Sequence, residues 1–185
     1  MRRLFISIDL PKNIQHELDY EVSELQKSAW DKVKFVPKEN WHLTLIFLGD
    51  QDDIAMGQII SALNTHVPQI KAQELLIKSL CYGPKIENPS MIWALTDKES
   101  SLKLLKIRDS INNTLAKANV RFQEDKRTYN GHITLARLKS RNSLPALSKN
   151  LNIKFTAYTI SLIESELTKN EAEYITLASW TLNEE

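Results

Sequence analysis

The same tetrapeptide pattern occurs twice, as His42-Leu43-Thr44-Leu45 and His132-Ile133-Thr134-Leu135, 132 − 42 = 90 positions apart. Each copy lies in a run where apolar residues alternate or saturate, Trp41 to Leu48 and His132 to Leu138, the mark of a β-strand. Side chains two apart on a strand share a face. Each histidine therefore stands beside its threonine, with backbones roughly 6.5–7 Å apart, while Leu43, Leu45, Ile133 and Leu135 turn into a core. A chain that holds a polar pair on an apolar scaffold twice is expected to fold as two matching halves.

The flanks repeat in the same order. Leu4 to Leu10 reads as a strand, Pro11 opens a helix to about Ala29, and Val33 to Val36 precedes the first motif. Met91 to Leu95 reads as a strand, Glu99 to Ala118 as an amphipathic helix, and Val120 to Gln123 leads to the second motif. After each histidine strand the pattern gives a second helix (Asp52 to about Val67; Ser143 to Asn150), then a further strand (Glu74 to Leu80; Lys154 to Ser165). The expectation is an α+β fold of two pseudo-symmetric β-α-β-β-α-β lobes. Each lobe is an antiparallel or mixed sheet with helices outside, and the histidine strands flank a central cleft. The repeats run over about 1–80 and 91–165 of a single bilobal domain, 1–185, and the last strand, 174–182, is read as crossing to the first lobe.

A chain of 185 residues is long enough to bury such a core. With 24 basic and 23 acidic residues the net charge is +1, so any site for a polyanion must be a local patch. One cysteine, Cys81, excludes an internal disulfide framework and a cysteine-built zinc cage, and suits a reducing compartment. The N-terminal apolar run is short and broken by Asp9 and Pro11, so it reads as a strand and not a signal peptide. No stretch approaches ~18 consecutive apolar residues, so no membrane span is expected and a cytoplasmic location is. Nothing calls for an obligate partner, so a monomer is expected.

An imidazole titrates near pH ~6.5, so of two facing histidines one can act as general base and the other as general acid. That pair fits in-line displacement at phosphorus: one histidine takes a proton from water, and the other gives one to the departing oxygen. The threonine hydroxyls can donate to the non-bridging oxygens. No metal-ligand spacing stands near the histidines, so neither metal nor cofactor is expected.

The paired motifs resemble those of the two-histidine phosphoesterases. Within them the chain is similar to the RNA 2′,3′-cyclic phosphodiesterases, also described as 2′-5′ RNA ligases. The resemblance rests on Arg3 to Pro11, Val36 to Gly49, Gly131 to Arg137, and Leu162 to Leu167 followed by Tyr174. It implies a bilobal fold around a groove and metal-free hydrolysis of an RNA-terminal 2′,3′-cyclic phosphate, or a small cyclic nucleotide, to a 2′-phosphate. It makes His42 the proton donor, His132 the proton acceptor, and Thr44 and Thr134 the phosphate holders. Many relatives carry proline before the second histidine. Here it is Gly131, which is expected to hold His132 less rigidly.

Arg137 lies five positions past His132, an offset that a flat strand would turn away; a bulge would bring it to the phosphate. Lys126, Arg127 and Tyr129 read as a loop that could meet RNA or simply be solvated. Phe5 is read as core or as a stacking platform, and Trp41, Trp93 and Trp180 as packing residues. His16, His66 and Cys81 are given no chemistry. Two other readings of the same residues are 2′-5′ ligation and a catalytically silent RNA- or nucleotide-binding module.

Overall fold

The computed structural model describes residues 1–27, 33–123, 125, 127–140, 144, 146–167 and 172–184. In chain order its elements are β1 (Arg2–Asp9), α1 (Lys12–Gln26), β2 (Val33–Phe35), β3 (His42–Gln51), α2 (Asp53–His66), β4 (Gln73–Gly83), β5 (Met91–Thr96), α3 (Lys98–Lys117), β6 (His132–Leu138), β7 (Ser148–Ala157), β8 (Thr159–Leu167) and β9 (Ala172–Thr181). The helix starts follow from local chemistry. Pro11 sets the φ of −56° that leads into α1, and the Asp52 and Asp97 carboxylates accept from the backbone N–H of Ala55 and Ser100 at 2.7 and 2.8 Å. Each such cap stabilises by ~1 kcal/mol.

The strands run in the order β7-β4-β5-β6-β3-β1-β8-β9, every pairing antiparallel, with β2 added to β6. The two motif strands meet at the centre through one pair, Leu43 opposite Ile133, and both side chains are fully buried. Strand identity does not follow the sequence halves. β4, from the first half, lies between β5 and β7, while β8, from the second, lies between β1 and β9. The β1–β3 side of the single sheet thus takes β8 and β9 from the second half, and the β5–β6 side takes β2 and β4 from the first. β9 joins the sheet of β1 and β3 by way of β8.

One face of the sheet carries the apolar core: Ile6, Ile8, Leu18, Leu43, Ile59, Leu63, Ile111, Leu115 and Ile133 are all buried together. The opposite face carries the groove. Three expectations need correction. Val120 to Gln123 is not a strand, and Lys154 to Ser165 is divided at Tyr158 into β7 and β8. Ser148 to Asn150 begin β7 instead of ending a helix, and residues 143 and 145 of that expected helix lie outside the described residues. Among the described residues no helix is long and apolar enough to cross a membrane.

Two bulges at matching places shape the groove. On β3 the partners step from Ile46 (to Ile6) to Thr44 (to Ser7), leaving Leu45 extra; on β6 they step from Ala136 (to Ile92) to Thr134 (to Trp93), leaving Leu135 extra. A bulge shifts the phase of the pleat by one residue. Leu45 and Ile46 are accordingly both buried, as are Leu135 and Ala136. The next residues, Phe47 and Arg137, line the groove instead of the core.

Candidate active site

His42, Thr44, His132, Thr134 and Arg137 all line one groove of about 1040 Å³. Extending the Leu43–Ile133 pair by one residue in each direction sets His42 against Thr134 and Thr44 against His132. The four side chains thus surround a pseudo-twofold axis through the central pair.

The two imidazoles are held by the same main-chain device. His42 Nδ1 lies 2.8 Å from the carbonyl of Asn40, and His132 Nδ1 lies 2.7 Å from that of Asn130. A carbonyl accepts only, so each Nδ1 carries the proton and each Nε2 is left as the working nitrogen. His42 Nε2 is 3.0 Å from Thr44 Oγ1, so in this tautomer the hydroxyl donates to the ring. Asn40 and Asn130 went unnoticed in the sequence, although they are also 90 apart and extend the repeat to Asn-x-His-x-Thr-Leu.

Aromatic rings back both histidines. Phe5, 3% exposed, stacks on His42 with centroids 4.8 Å apart, and Tyr174 meets the same ring edge-on at 5.4 Å. Phe5 is therefore buried support under the imidazole. Trp93 is not a plain packing residue: its indole stacks on His132 at 3.8 Å and 26°. Gly83 makes room for it, since a Cβ there would overlap the indole ring. Trp41 and Trp180 do pack in the core, their indole N–H groups donating to the Val36 carbonyl and Asn64 Oδ1.

Burial governs the titration. It lowers His42 to about 4; the Asn40 carbonyl acts in the opposite direction, and the facing His132 adds a smaller downward push. His132 is also lowered by burial, against its Asn130 carbonyl, with a further downward push from Arg127. With only protein around them, both rings are neutral at pH 7.

Gly131 is the reverse of a loose joint. Its N–H donates to Ser101 Oγ at 3.1 Å, and its carbonyl accepts from the Thr96 N–H at 2.8 Å and Thr96 Oγ1 at 3.0 Å. A Cβ there would sit 2.6 Å from Thr96 Oγ1 and 2.7 Å from Leu104 Cδ1. The residue before His132 is held by its main-chain hydrogen bonds, and a side chain there would have to push aside the Thr96 hydroxyl and a Leu104 methyl.

Tyr129 is likewise no solvated loop residue. Its hydroxyl donates to the Thr44 carbonyl at 2.9 Å, and the Arg108 guanidinium lies over its ring at 5.2 Å, tying the second motif's approach to the first motif's strand. Arg127 pairs with Asp125 through Nε at 2.9 Å, and Lys126 lies outside the described residues. His66 bonds Ser110 Oγ at 2.7 Å between α2 and α3, and Cys81 is a half-buried free thiol raised by burial. Among the described residues no three His, Cys, Asp or Glu side chains are grouped to hold a metal ion.

Two lobes of α+β structure that present His-x-Thr strands to one groove define a two-histidine phosphoesterase. The chain belongs to the LigT-like phosphoesterase family, whose pattern, described as LigT like Phosphoesterase, matches residues 8–93 and 95–174. It is accordingly a hydrolase. It is 27% identical over 185 residues to the RNA 2′,3′-cyclic phosphodiesterase of Methanocaldococcus jannaschii, covering 96% of this chain and 99% of that one. It is 26% identical to the Thermus thermophilus protein of the same name, covering 99% and 91%. In fold it is similar to TT0787 of Thermus thermophilus (TM-score 0.84, 22% identity, 99% of each chain) and to E. coli LigT complexed with 3′-AMP (TM-score 0.77, 20% identity, 98% of each chain).

Proposed function

We propose that this enzyme opens the 2′,3′-cyclic phosphate at an RNA end to a 2′-phosphate, using its two histidines and no metal. The observation that carries the reading is the matched tautomer: both imidazoles present Nε2 to the same groove from opposite sides of one axis. The relatives named as RNA 2′,3′-cyclic phosphodiesterases support the substrate.

In this mechanism His132 Nε2 takes a proton from water as its oxygen bonds to phosphorus. The P–O3′ bond breaks on the far side, and protonated His42 Nε2 supplies the proton that makes the 3′-hydroxyl. The ring thus loses one ester bond and gains one water, and the two histidines exchange protonation states. His42 must be charged before it can serve as the acid, yet burial by itself holds the ring neutral. An anionic phosphate beside it favours the imidazolium, so substrate loads its own acid. Once Nε2 holds a proton, Thr44 no longer needs to donate to it. Its hydroxyl is released to donate to a non-bridging oxygen, as Thr134 does from the other side. Arg137 offsets phosphate charge from the rim.

The test is a short RNA ending in a cyclic phosphate, incubated with the protein and excess chelator. The expected product is the 2′-phosphate, with rates ~10²–10⁴ lower in His42→Ala and in His132→Ala. A 3′-phosphate product, loss of activity with chelator, or near-normal rates in either variant would overturn the mechanism. Joining to a 5′-hydroxyl would mark the ligase reading, and binding without turnover the silent one.

A further inference from the structure

The two histidines are fixed by the carbonyls of equivalent peptides, but those peptides are anchored by different means. The peptide that joins Asn40 to Trp41 carries the carbonyl that accepts from His42 Nδ1, and its N–H donates to the main-chain carbonyl of Lys38 at 3.1 Å, across one 3-10 turn, Lys38–Asn40. The peptide that joins Asn130 to Gly131 carries the carbonyl that accepts from His132 Nδ1 at 2.7 Å, but its N–H donates to a side chain, Ser101 Oγ in the first turn of α3. Donor direction is then forced all the way round. The Gly131 N–H can only donate and the Gly131 carbonyl can only accept, so Ser101 Oγ accepts from the first and Thr96 Oγ1 donates to the second at 3.0 Å. The 2.9 Å bond between the two hydroxyls therefore runs from Ser101 to Thr96. The result is a closed ring of hydrogen bonds in which each hydroxyl gives one bond and receives one, the arrangement in which neighbouring bonds strengthen one another. Thr96 is 4% exposed and Ser101 8%, so bulk water does not reach in to replace either.

The ring matters because of the glycine. A peptide plane turns over by opposite changes in the ψ before it and the φ after it, and glycine accepts values of φ that other residues resist. A turned Asn130–Gly131 peptide would face His132 Nδ1 with an N–H in place of a carbonyl. Nδ1 would then accept, the ring's proton would move to Nε2, and the nitrogen that faces the groove would have no lone pair with which to take a proton from water. We propose that Ser101 and Thr96 are positioning residues for the base: acting through the Asn130–Gly131 peptide, their hydroxyls lock that plane and so hold His132 as its Nδ1–H tautomer with Nε2 free. This rests on the proposed reaction, in which His132 is the base. His42 needs no such device, since Trp41 follows Asn40 and its N–H is held by a main-chain carbonyl that no side-chain substitution removes.

The experiment compares the parent with Thr96→Val, Thr96→Ser and Ser101→Ala. The histidine ring nitrogens are read by nitrogen NMR at a pH where both rings are neutral, and steady-state kinetics are measured on a short RNA ending in a 2′,3′-cyclic phosphate. In the parent both histidines should show the Nδ1–H tautomer. Thr96→Val should bring up an Nε2–H fraction at His132, assigned by its absence in His132→Ala, while His42 stays as it was. Ser101→Ala should bring up a larger fraction, because it removes the bond made by the peptide itself. In both variants kcat should fall about three- to tenfold, the weight of one hydrogen bond, with KM within about twofold of the parent's. Thr96→Ser, which keeps the hydroxyl, should restore the parent tautomer and rate. An unchanged His132 tautomer in Thr96→Val and Ser101→Ala, equal changes at both histidines, or a Thr96→Ser as impaired as Thr96→Val would overturn the lock. If the parent leaves the cyclic phosphate intact, the proposed reaction falls, and the tautomers alone decide the lock by the same outcomes.

Discussion

The two lobes share their pairing register, their bulge and the Nδ1 bond that fixes each histidine, yet they enclose those histidines differently. On the His42 side the position opposite the threonine is Ser7, small and fully buried, and the stacking ring comes from Phe5 two residues before it. On the His132 side the position opposite the threonine is Trp93, whose indole stacks on the imidazole itself. Tyr174 and Thr44 close further around His42. The duplicated scaffold sets where the imidazoles stand, and the unduplicated rings around them set how each one titrates.

The largest test of this comparison is the histidines together. If they act as one unit, His42→Ala with His132→Ala should lose little more in kcat than either alone, ~10²–10⁴. Multiplying losses would show that the lobes work independently. Next are the rings. Trp93→Leu and Phe5→Leu should each lower kcat by ~10- to 10²-fold, because a ring displaced by an ångström spoils in-line geometry. A shift of the basic limb of the pH–rate profile by Phe5→Leu, through the acid His42, and of the acidic limb by Trp93→Leu, through the base His132, would assign each limb to a lobe. Identical shifts would remove the distinction.

A smaller effect appears in stability. His42 binds a proton less readily in the folded protein than in the unfolded chain, so stability should be full above pH 6.5 and fall toward about 4. Between pH 6.5 and 5 the loss from His42 should be about 2 kcal/mol, read as a lower urea midpoint and reduced in His42→Ala. Asp9, raised by burial despite the Ser161 hydroxyl, contributes with the opposite sign at lower pH, so pH 5 is the useful lower bound. An equal dependence in His42→Ala would disprove the burial account. The smallest is Tyr129→Phe, which removes the hydroxyl bonded to the Thr44 carbonyl and should cost about 1 kcal/mol by urea titration.

The histidines and threonines were legible because a strand's period of two is local. Arg137 was legible only as far as the need for a bulge, since whether one forms depends on the partner strand. Trp93 could not be assigned because its contact with His132 crosses between strands 39 residues apart (132 − 93), and an apolar strand with one tryptophan reads the same in a core. β7 misled for a related reason. It pairs on one side alone, with β4, and its first three residues are exposed, so Ser148 to Asn150 carry no apolar alternation. Gly131 was misjudged because its constraint lies in Thr96 and Ser101, outside its own backbone preferences.

The exchange of β4 and β8 ties the halves together mechanically. To spread the groove by separating the halves of the sequence, the chain would have to strip β4 from both β5 and β7 and β8 from β1, three long antiparallel ladders, besides the shorter pairing of β2 with β6. The turn at Ile86, 77% exposed, is by contrast an open place to cut. Severed there, the protein would remain clasped, each fragment finishing the other's sheet, and the two pieces made apart should regain activity only when mixed.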